Sequence, residues 1–308
     1  MFEVKNFDNW IEDRESGKFG SGASEKVWLI NPETGEKGLF KFPKVKDKEK
    51  GILTGEYWAE KLASEIGKLI DVDCAKVDIG IYKGRIGSMS YNIIKDNDTI
   101  FREGLDYIQA QYPFYNKENL VDEYNNKKYS LQMIESSVSG LLEISEILKI
   151  IIFDCLIGNS DRHHSNWGVI SYVKKVDNAN RVCLRLCPLY DNGSSLCAYE
   201  ANNIEVFFKD KMKFEALVNT KSKSAIGWEN ERQIKHFDLL KKIKNNKYEE
   251  TIPYIEKIKN NVNEKSIEKI LNEFDNNVIN EQMKRLLKIF IMERRKRMLE
   301  IYDFENEV

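Results

Sequence analysis

The sequence predicts an α+β protein of two lobes, a small β-rich lobe followed by a larger helical one. Three observations support this. Short apolar runs bounded by glycine, proline and asparagine turns fill the first part of the chain. One helical stretch, Thr54–Lys68, is inserted among them. Beyond Asn97 the apolar spacing becomes helical, and after Asn202 no strand-like alternation of any length recurs. The boundary is expected near Ile94–Asn97, which gives lobes of residues 1–96 and 97–308.

Residues 1–16 are polar, with Phe7, Trp10 and Ile11 expected to anchor a short amphipathic segment. A glycine-rich stretch, Gly17–Lys26, leads into a strand at Val27–Ile30. Asn31–Glu36 is a dense turn signal, and Gly38–Pro43 returns as the second strand of a hairpin. Lys44–Lys50 is a charged loop. In the helix that follows, Tyr57, Trp58, Leu62 and Ile66 form an apolar stripe flanked by Glu56, Glu60 and Glu65. Val77–Ile81 and Ile86–Ile94 read as strands joined at Lys83-Gly84. Phe101–Ala110 and Ser130–Gly140 are weakly helical, and Leu141–Leu156 is strongly so. A loop and short strands occupy Gly158–Leu196. Helical periodicity then marks Arg232–Lys244, Tyr248–Val262, Lys265–Phe274 and Asn280–Tyr302.

Composition excludes several classes of function. A net charge of −2 over 308 residues gives no global drive toward nucleic acid or anionic membrane. The basic run Glu293–Arg297 reads as a solvated helix face. No apolar run reaches the ~18–20 residues of a membrane span. The strongest, Ile147–Ile157, is interrupted by Lys149 and Asp154 and reads as a core helix. The N-terminus has no signal-peptide pattern. The five cysteines are odd in number and sit mostly in apolar settings, which predicts free thiols in a reduced, cytoplasmic protein. Cys183 and Cys187 lack the further ligands of a zinc site.

The chemistry concentrates in Ile157–Ile170. Asp161 and Asn166 have the D-x-x-x-x-N spacing with which protein kinases place a catalytic aspartate and a magnesium-binding asparagine. A second acidic site follows at Asp191-Asn192-Gly193. Singly, Asp161 could cap a turn and Asn166 could form an Asx turn. Together they match phosphoryl transfer, which needs a phosphate clamp, a cation and hard oxygen ligands for Mg²⁺. Gly20, Ser21, Gly22, Ala23 and Ser24 would let backbone N–H groups approach phosphate. Lys41, between Phe40 and Phe42, would supply the cation, steadied by Glu56 or Glu60, with Glu56 preferred. His163 and His164 are expected to shape the loop rather than bind metal, because the third histidine, His236, lies far along the chain.

The run Gly158-Asn159-Ser160-Asp161-Arg162-His163-His164-Ser165-Asn166-Trp167 resembles the catalytic loop of HipA-like serine/threonine kinases, G-N-x-D-x-H-x-x-N-[FW]. Tyr190-Asp191 resembles that family's metal-binding motif, and Gly55–Gly67 resembles its E-x-x-x-x-x-L-A-x-x-x-G helix. Gly20–Lys26 with Lys41 resembles its phosphate loop and strand lysine. The resemblance implies a bilobal protein-kinase-like fold that uses ATP and Mg²⁺ to phosphorylate a protein serine or threonine. It implies Asp161 as catalytic aspartate, Asn166 and Asp191 as Mg²⁺ ligands, and Lys41 on the ATP phosphates. Glu56, His163 and the hinge residues Tyr91, Asn92 and Ile93 join the implied ATP site, the hinge within an adenine-lining segment Met89–Ile94. Ser21 and Ser24 are implied autophosphorylation sites, whose added charge would repel nucleotide phosphates. A helix-turn-helix antitoxin is the implied partner.

Two features depart from the pattern. Only residues 1–16 precede the glycine-rich loop, as in the short CtkA-like and HipT-like members, and Ser90–Ile94 replaces an arginine-phenylalanine-aspartate stretch. The alternatives are a nucleotide-binding pseudokinase and, given the D-R-H-x-x-N loop, a lipid or small-molecule kinase.

Overall fold

Period-two alternation along short apolar strands gives the first lobe a sheet with two different faces. The computed structural model describes residues 1–13, 25–94, 99–176, 179–200 and 204–304. Its first strands are β1 (Lys5–Asn6), β2 (Ile11–Glu12), β3 (Lys26–Ile30) and β4 (Lys37–Lys41). A ribbon of β5 (Val45–Asp47) and β6 (Ile52–Leu53) leads to helix α1 (Glu56–Leu69), followed by β7 (Val77–Tyr82) and β8 (Arg85–Tyr91). Six of these strands form one sheet in the order β1-β7-β8-β4-β3-β2. All neighbours pair antiparallel except β1, which runs parallel to β7.

Helix α1 buries Tyr57, Trp58, Ala59, Leu62, Ala63 and Ile66 in a core that includes Ile79 of β7. Phe7, Trp10, Leu29, Phe40, Phe42, Tyr82, Met89 and Tyr91 form a separate cluster. Because β4 alternates, Phe40 turns into that cluster while Leu39 and Lys41 turn to the other face. The β4–β8 register sets Ser88 opposite Lys41 and Ser90 opposite Leu39, so both serines share the lysine's face.

The second lobe begins with β9 (Ile100–Glu103) and α2 (Gly104–Gln111), then a small meander of β10 (Tyr115–Asn116), β11 (Val121–Asp122) and β12 (Lys127–Lys128). Helices α3 (Leu131–Val138) and α4 (Ile144–Ile157) precede the hairpin of β13 (Gly168–Val176) and β14 (Ala179–Leu186). Strand β9 joins that hairpin in the order β14-β13-β9. Short helices α5 (Glu205–Lys209) and α6 (Lys211–Glu215) run into a π-helical turn, Ala216–Thr220. The chain ends in α7 (His236–Asn246), α8 (Tyr248–Asn261), α9 (Glu264–Asn272) and α10 (Glu281–Ile301). Helix α4 is buried from Ile150 through Ile157 without a polar face, as expected of a helix surrounded by others. It packs on α7, α8 and α10.

The α+β order of a β-rich lobe before a helical one is the one the sequence predicts. Several local expectations need correction. Residues 1–13 form edge strands rather than a free-standing amphipathic segment. Phe7 and Trp10 are buried, but Ile11 is 60% exposed, because β2 turns it to solvent. Phe101–Glu103 is strand rather than helix, since it pairs with Val169 and its neighbours on a strand distant in sequence. The segment before His236 forms isolated bridges (Lys223 with Lys235, Trp228 with Glu231) before α7 begins. The meander and α5–α6 carry no pattern long enough to read. All five cysteines are free. Among the described residues no helix is long and apolar enough to cross a membrane.

The N-terminal strand is structural. A Cβ on Gly80 would lie 2.2 Å from the Phe7 ring, so that ring fits only against a glycine. Phe7→Ala is therefore expected to destabilise the protein by about 3–5 kcal/mol in chemical denaturation. A loss under about 1 kcal/mol would show that the N-terminal strand is not part of the lobe's core.

Candidate active site

Four chain segments meet where the lobes face each other: β4, α1, the loop after α4 and the segment after β14. Helix α4 ends at Gly158, which takes the left-handed conformation (φ +70°) that closes a helix and turns the chain sharply. The loop that follows is held from within. Asn159, fully buried, donates its side-chain amide to Asp154 at 3.0 Å and accepts the Asp161 N–H at 3.1 Å. Asn166 donates Nδ2 to the Asp161 carbonyl at 2.6 Å, leaving its Oδ1 as the end that could ligate a cation. The Asn166 side chain thus ties itself to the Asp161 backbone within the loop.

Lys41 reaches across to Asp191, with Nζ 3.0 Å from Oδ1. Desolvation disfavours the lysine's charge, but Asp191, and Glu60 beside it, more than offset this and hold its pKa above the ordinary value. Burial likewise pushes the Asp191 carboxyl up, and Lys41 outweighs that to hold it below the usual range. Asp191 itself has φ +56°, a left-handed backbone that aspartate tolerates better than most residues. Lys26 lies directly opposite Lys41 on the β3–β4 ladder, and burial and the Lys41 charge both lower its pKa. Two cations therefore stand side by side on the sheet where the chain emerges from the glycine-rich stretch.

The expected pairing of Lys41 with Glu56 is not what forms. Glu56 instead joins Lys44 at 3.2 Å, the Thr54 hydroxyl at 2.6 Å and the Tyr199 hydroxyl at 2.8 Å. Glu60, one helical turn later, is the carboxylate on the buried stripe of α1, only 3% exposed. Its Oε1 has no hydrogen-bond partner. Burial, reinforced by the Asp191 charge, raises the Glu60 pKa to about 7 despite Lys41 and Arg162. Lys41, Glu60, Ser88, Asp191 and Gly193 enclose a recess of about 30 Å³, room for a water or a cation.

Asp161 lies at the mouth of the site. Burial, with Asp191 adding to it, raises its pKa, while His163, Lys44 and Arg162 pull the other way. The two histidines diverge. His163 accepts the Ser165 N–H on Nδ1 at 3.2 Å. His164 is buried, with Nδ1 3.0 Å from the Tyr115 hydroxyl, and burial lowers its pKa to about 4.

Of the expected hinge residues, Tyr91 turns its side chain away from Lys41. The Tyr91 ring packs 6.2 Å from Trp10, and its hydroxyl donates to Asp78 at 2.8 Å, on the sheet face opposite Lys41. Alternation requires this, because Ser88 and Ser90 take the lysine's face. Tyr91, Asn92 and Ile93 line a separate cavity of about 890 Å³, with Lys76, Ile170 and Tyr172. Gly20, Ser21, Gly22, Ala23 and Ser24 lie outside the described residues.

Comparison with known proteins bears on the family and the fold. The sequence profile of the HipA-like C-terminal domain matches residues 20–281. The chain belongs to that family. This HipA-like chain shares its fold with the Helicobacter pylori proinflammatory kinase CtkA (TM-score 0.77, 18% identity, covering 97% of this chain and 96% of that one). It also resembles Shewanella oneidensis MR-1 HipA, solved with HipB and operator DNA (TM-score 0.55, 12% identity, covering 96% and 70%). No functionally curated protein matches the sequence. The fold is thus the bilobal, kinase-like one that the catalytic-loop resemblance implies.

Sequence reading passed over Arg162, Asp154, Lys26 and Tyr199. Asp154 carried the clearest signal, as a carboxylate within the apolar second half of an isoleucine-rich helix, eight residues before an arginine. The Glu60 environment has a measurable consequence. Its folded pKa of about 7 exceeds the ordinary 4.5, so the folded HipA-like chain holds a proton that the unfolded chain releases. That contribution favours folding below pH 4.5 and is lost as pH rises to about 7. The melting temperature of Glu60→Gln minus that of the wild type should therefore widen across this window and level off above it. A gap independent of pH would count against a buried proton.

Proposed function

We infer that this chain is an ATP- and Mg²⁺-dependent protein serine/threonine kinase of the HipA-like type. The observation that carries this reading is the 3.0 Å pair of Lys41 and Asp191. It brings the strand cation of one lobe onto an acidic group of the other, next to the loop bearing Asp161 and Asn166. An all-oxygen donor set at Asn166 and Asp191 would suit Mg²⁺, and the partnerless Glu60 oxygen belongs to a residue that lines one recess with Lys41 and Asp191. A bound Mg²⁺ would neutralise charge on the transferred phosphoryl group.

The chain's own residues supply the rest. Lys41, with Lys26 next to it, draws the ATP phosphates to the sheet face that also carries Ser88. Asp161, at the mouth of the site, orients a substrate hydroxyl and accepts its proton as the phosphoryl group moves. Its raised pKa favours that acceptance. Glu60 would remain as a carboxylate partner for Lys41 if Asp191 were to hold a cation. The adenine sits on the Lys41 face, beneath Leu39 and Ser90, with the hinge contributing backbone.

The substrate is a protein hydroxyl in the cytoplasm, and a helix-turn-helix antitoxin is the proposed partner. The solved HipA complex with HipB and operator DNA supports the latter. Ser21 and Ser24 are proposed autophosphorylation sites. Adding about two negative charges there would oppose nucleotide binding, so a phosphorylated preparation should bind ATP more weakly than an unphosphorylated one, measured by calorimetry.

Labelled ATP and Mg²⁺, followed by mass spectrometry of the protein and a host lysate, should show phosphoserine or phosphothreonine. Asp161→Asn should lower the rate by about 10²–10⁴-fold, and Asp191→Ala should abolish it. Near-normal transfer by either variant overturns the assignment.

A further inference from the structure

We propose that Arg162 is a positioning residue that sets the spacing of Asn166 and Asp191, and that it does so without any phosphorylated segment to complete it. The proposal rests on the kinase reading above and concerns how that site is assembled.

A guanidinium has five N–H donors in a fixed fork. In Arg162 all five are used inside the protein. Nε donates to Asp154 Oδ2 at 3.0 Å and Nη2 to Asp154 Oδ1 at 2.9 Å. The second Nη2 donor goes to Asn192 Oδ1 at 2.6 Å. Nη1 donates to the Asn166 carbonyl at 2.8 Å and to the Tyr190 carbonyl at 2.7 Å. Arg162 is 1% exposed and Asp154 is 2% exposed. The arginine's own carbonyl accepts the Tyr129 hydroxyl at 3.2 Å, and that hydroxyl also accepts the Trp167 indole N–H at 2.9 Å.

These partners are not a random set. Asn166 is one expected Mg²⁺ ligand, and Tyr190 and Asn192 flank the other, Asp191. A single nitrogen, Nη1, therefore holds the backbone of both ligand-bearing segments, which lie far apart in sequence. Asp154 anchors the fork to the buried C-terminal half of helix α4. The geometry between Asn166 and Asp191 is thus set by a planar group with little freedom to drift.

The saturation of the fork carries the second half of the proposal. In kinases switched by phosphorylation, an arginine takes a phosphorylated side chain as a new partner and orders a loop around it. Arg162 has no donor left to offer and no solvent-facing edge. The segment after Asp191 is instead tied to the small lobe by unmodified groups. The Gly55 N–H donates to the Ala198 carbonyl at 2.6 Å, and the Tyr199 hydroxyl donates to Glu56 at 2.8 Å. The site is built ready.

The test measures the Mg²⁺ concentration giving half-maximal phosphoryl transfer, alongside thermal stability, for the full chain. Arg162→Lys keeps the charge but loses the fork, and is expected to raise that concentration by about 10–100-fold, as loss of a group supporting metal ligands does. Arg294→Lys is the control. Arg294 is also fully buried and bonds the Cys155 and Val218 carbonyls, but it touches neither ligand segment. It is expected to lower the melting temperature while leaving Mg²⁺ half-saturation unchanged. A phosphatase-treated wild-type preparation is expected to transfer no more slowly than an untreated one.

Unchanged Mg²⁺ half-saturation in Arg162→Lys, or an equal shift in Arg294→Lys, overturns the positioning role. Slower transfer after phosphatase treatment overturns the self-sufficiency. If the wild type transfers no phosphoryl group to any acceptor, the kinase reading itself fails. The positioning role is then read from Mg²⁺-dependent binding of a non-hydrolysable ATP analogue, where equal dependence in wild type and Arg162→Lys overturns it.

Discussion

The buried pair of Asp154 and Arg162 is the interaction on which the site depends. Neither group has access to bulk water, so each has given up a large hydration energy that only close partners can return. Two charge-assisted hydrogen bonds join them, and Asn159, Asn166, Tyr190 and Asn192 satisfy what remains. Burial opposes the arginine's charge, but the aspartate beside it more than offsets this and holds its pKa up. Removing one partner would strand the other's charge in the core, a cost of about 3–5 kcal/mol. Such a pair adds little net stability compared with a well-packed apolar core. What it supplies here is a fixed relation between a helix and two loops.

A second polar network joins the lobes at the front. Lys41 bonds Asp191 from above, and Glu56 gathers Lys44, Thr54 and Tyr199. The two glutamates of α1 divide their work according to the face of the helix they occupy. Glu56 lies at the rim among polar groups that hold its pKa down against the effect of burial. Glu60 is turned inward against Asp191, where burial raises its pKa. Two identical side chains one turn apart thus shift in opposite directions, because hydrogen bonds and Lys44 outweigh burial at one while burial prevails at the other.

The sheet of the first lobe separates structure from chemistry by the same logic. One face is packed by aromatic rings, including Phe7, Trp10, Phe40 and Tyr91. The other carries Lys26, Leu39, Lys41, Ser88 and Ser90. Polar groups can serve on this second face because the aromatic cluster, and not they, holds the strands together.

Much of this was written locally. The period of each apolar run identified strands and helices, because neighbouring residues alone decide which side of an element is apolar. The spacing of Asp161 and Asn166 was legible for the same reason, since a loop of six residues closes on itself through Asn166 and the Asp161 carbonyl. Glu60 rather than Glu56, Tyr91 turned away from Lys41, β9 where a helix was expected, and Asp154 beneath Arg162 were not legible. Each depends on a partner distant in sequence. A shift of one residue in strand pairing would exchange the faces of Ser90 and Tyr91, and one turn of helix separates a half-buried carboxylate at the rim from a fully buried one. The sequence by itself determined which groups were available and on which elements. Only the tertiary structure decided which of them meet, because a buried charge or ring takes its role from the partners packed around it.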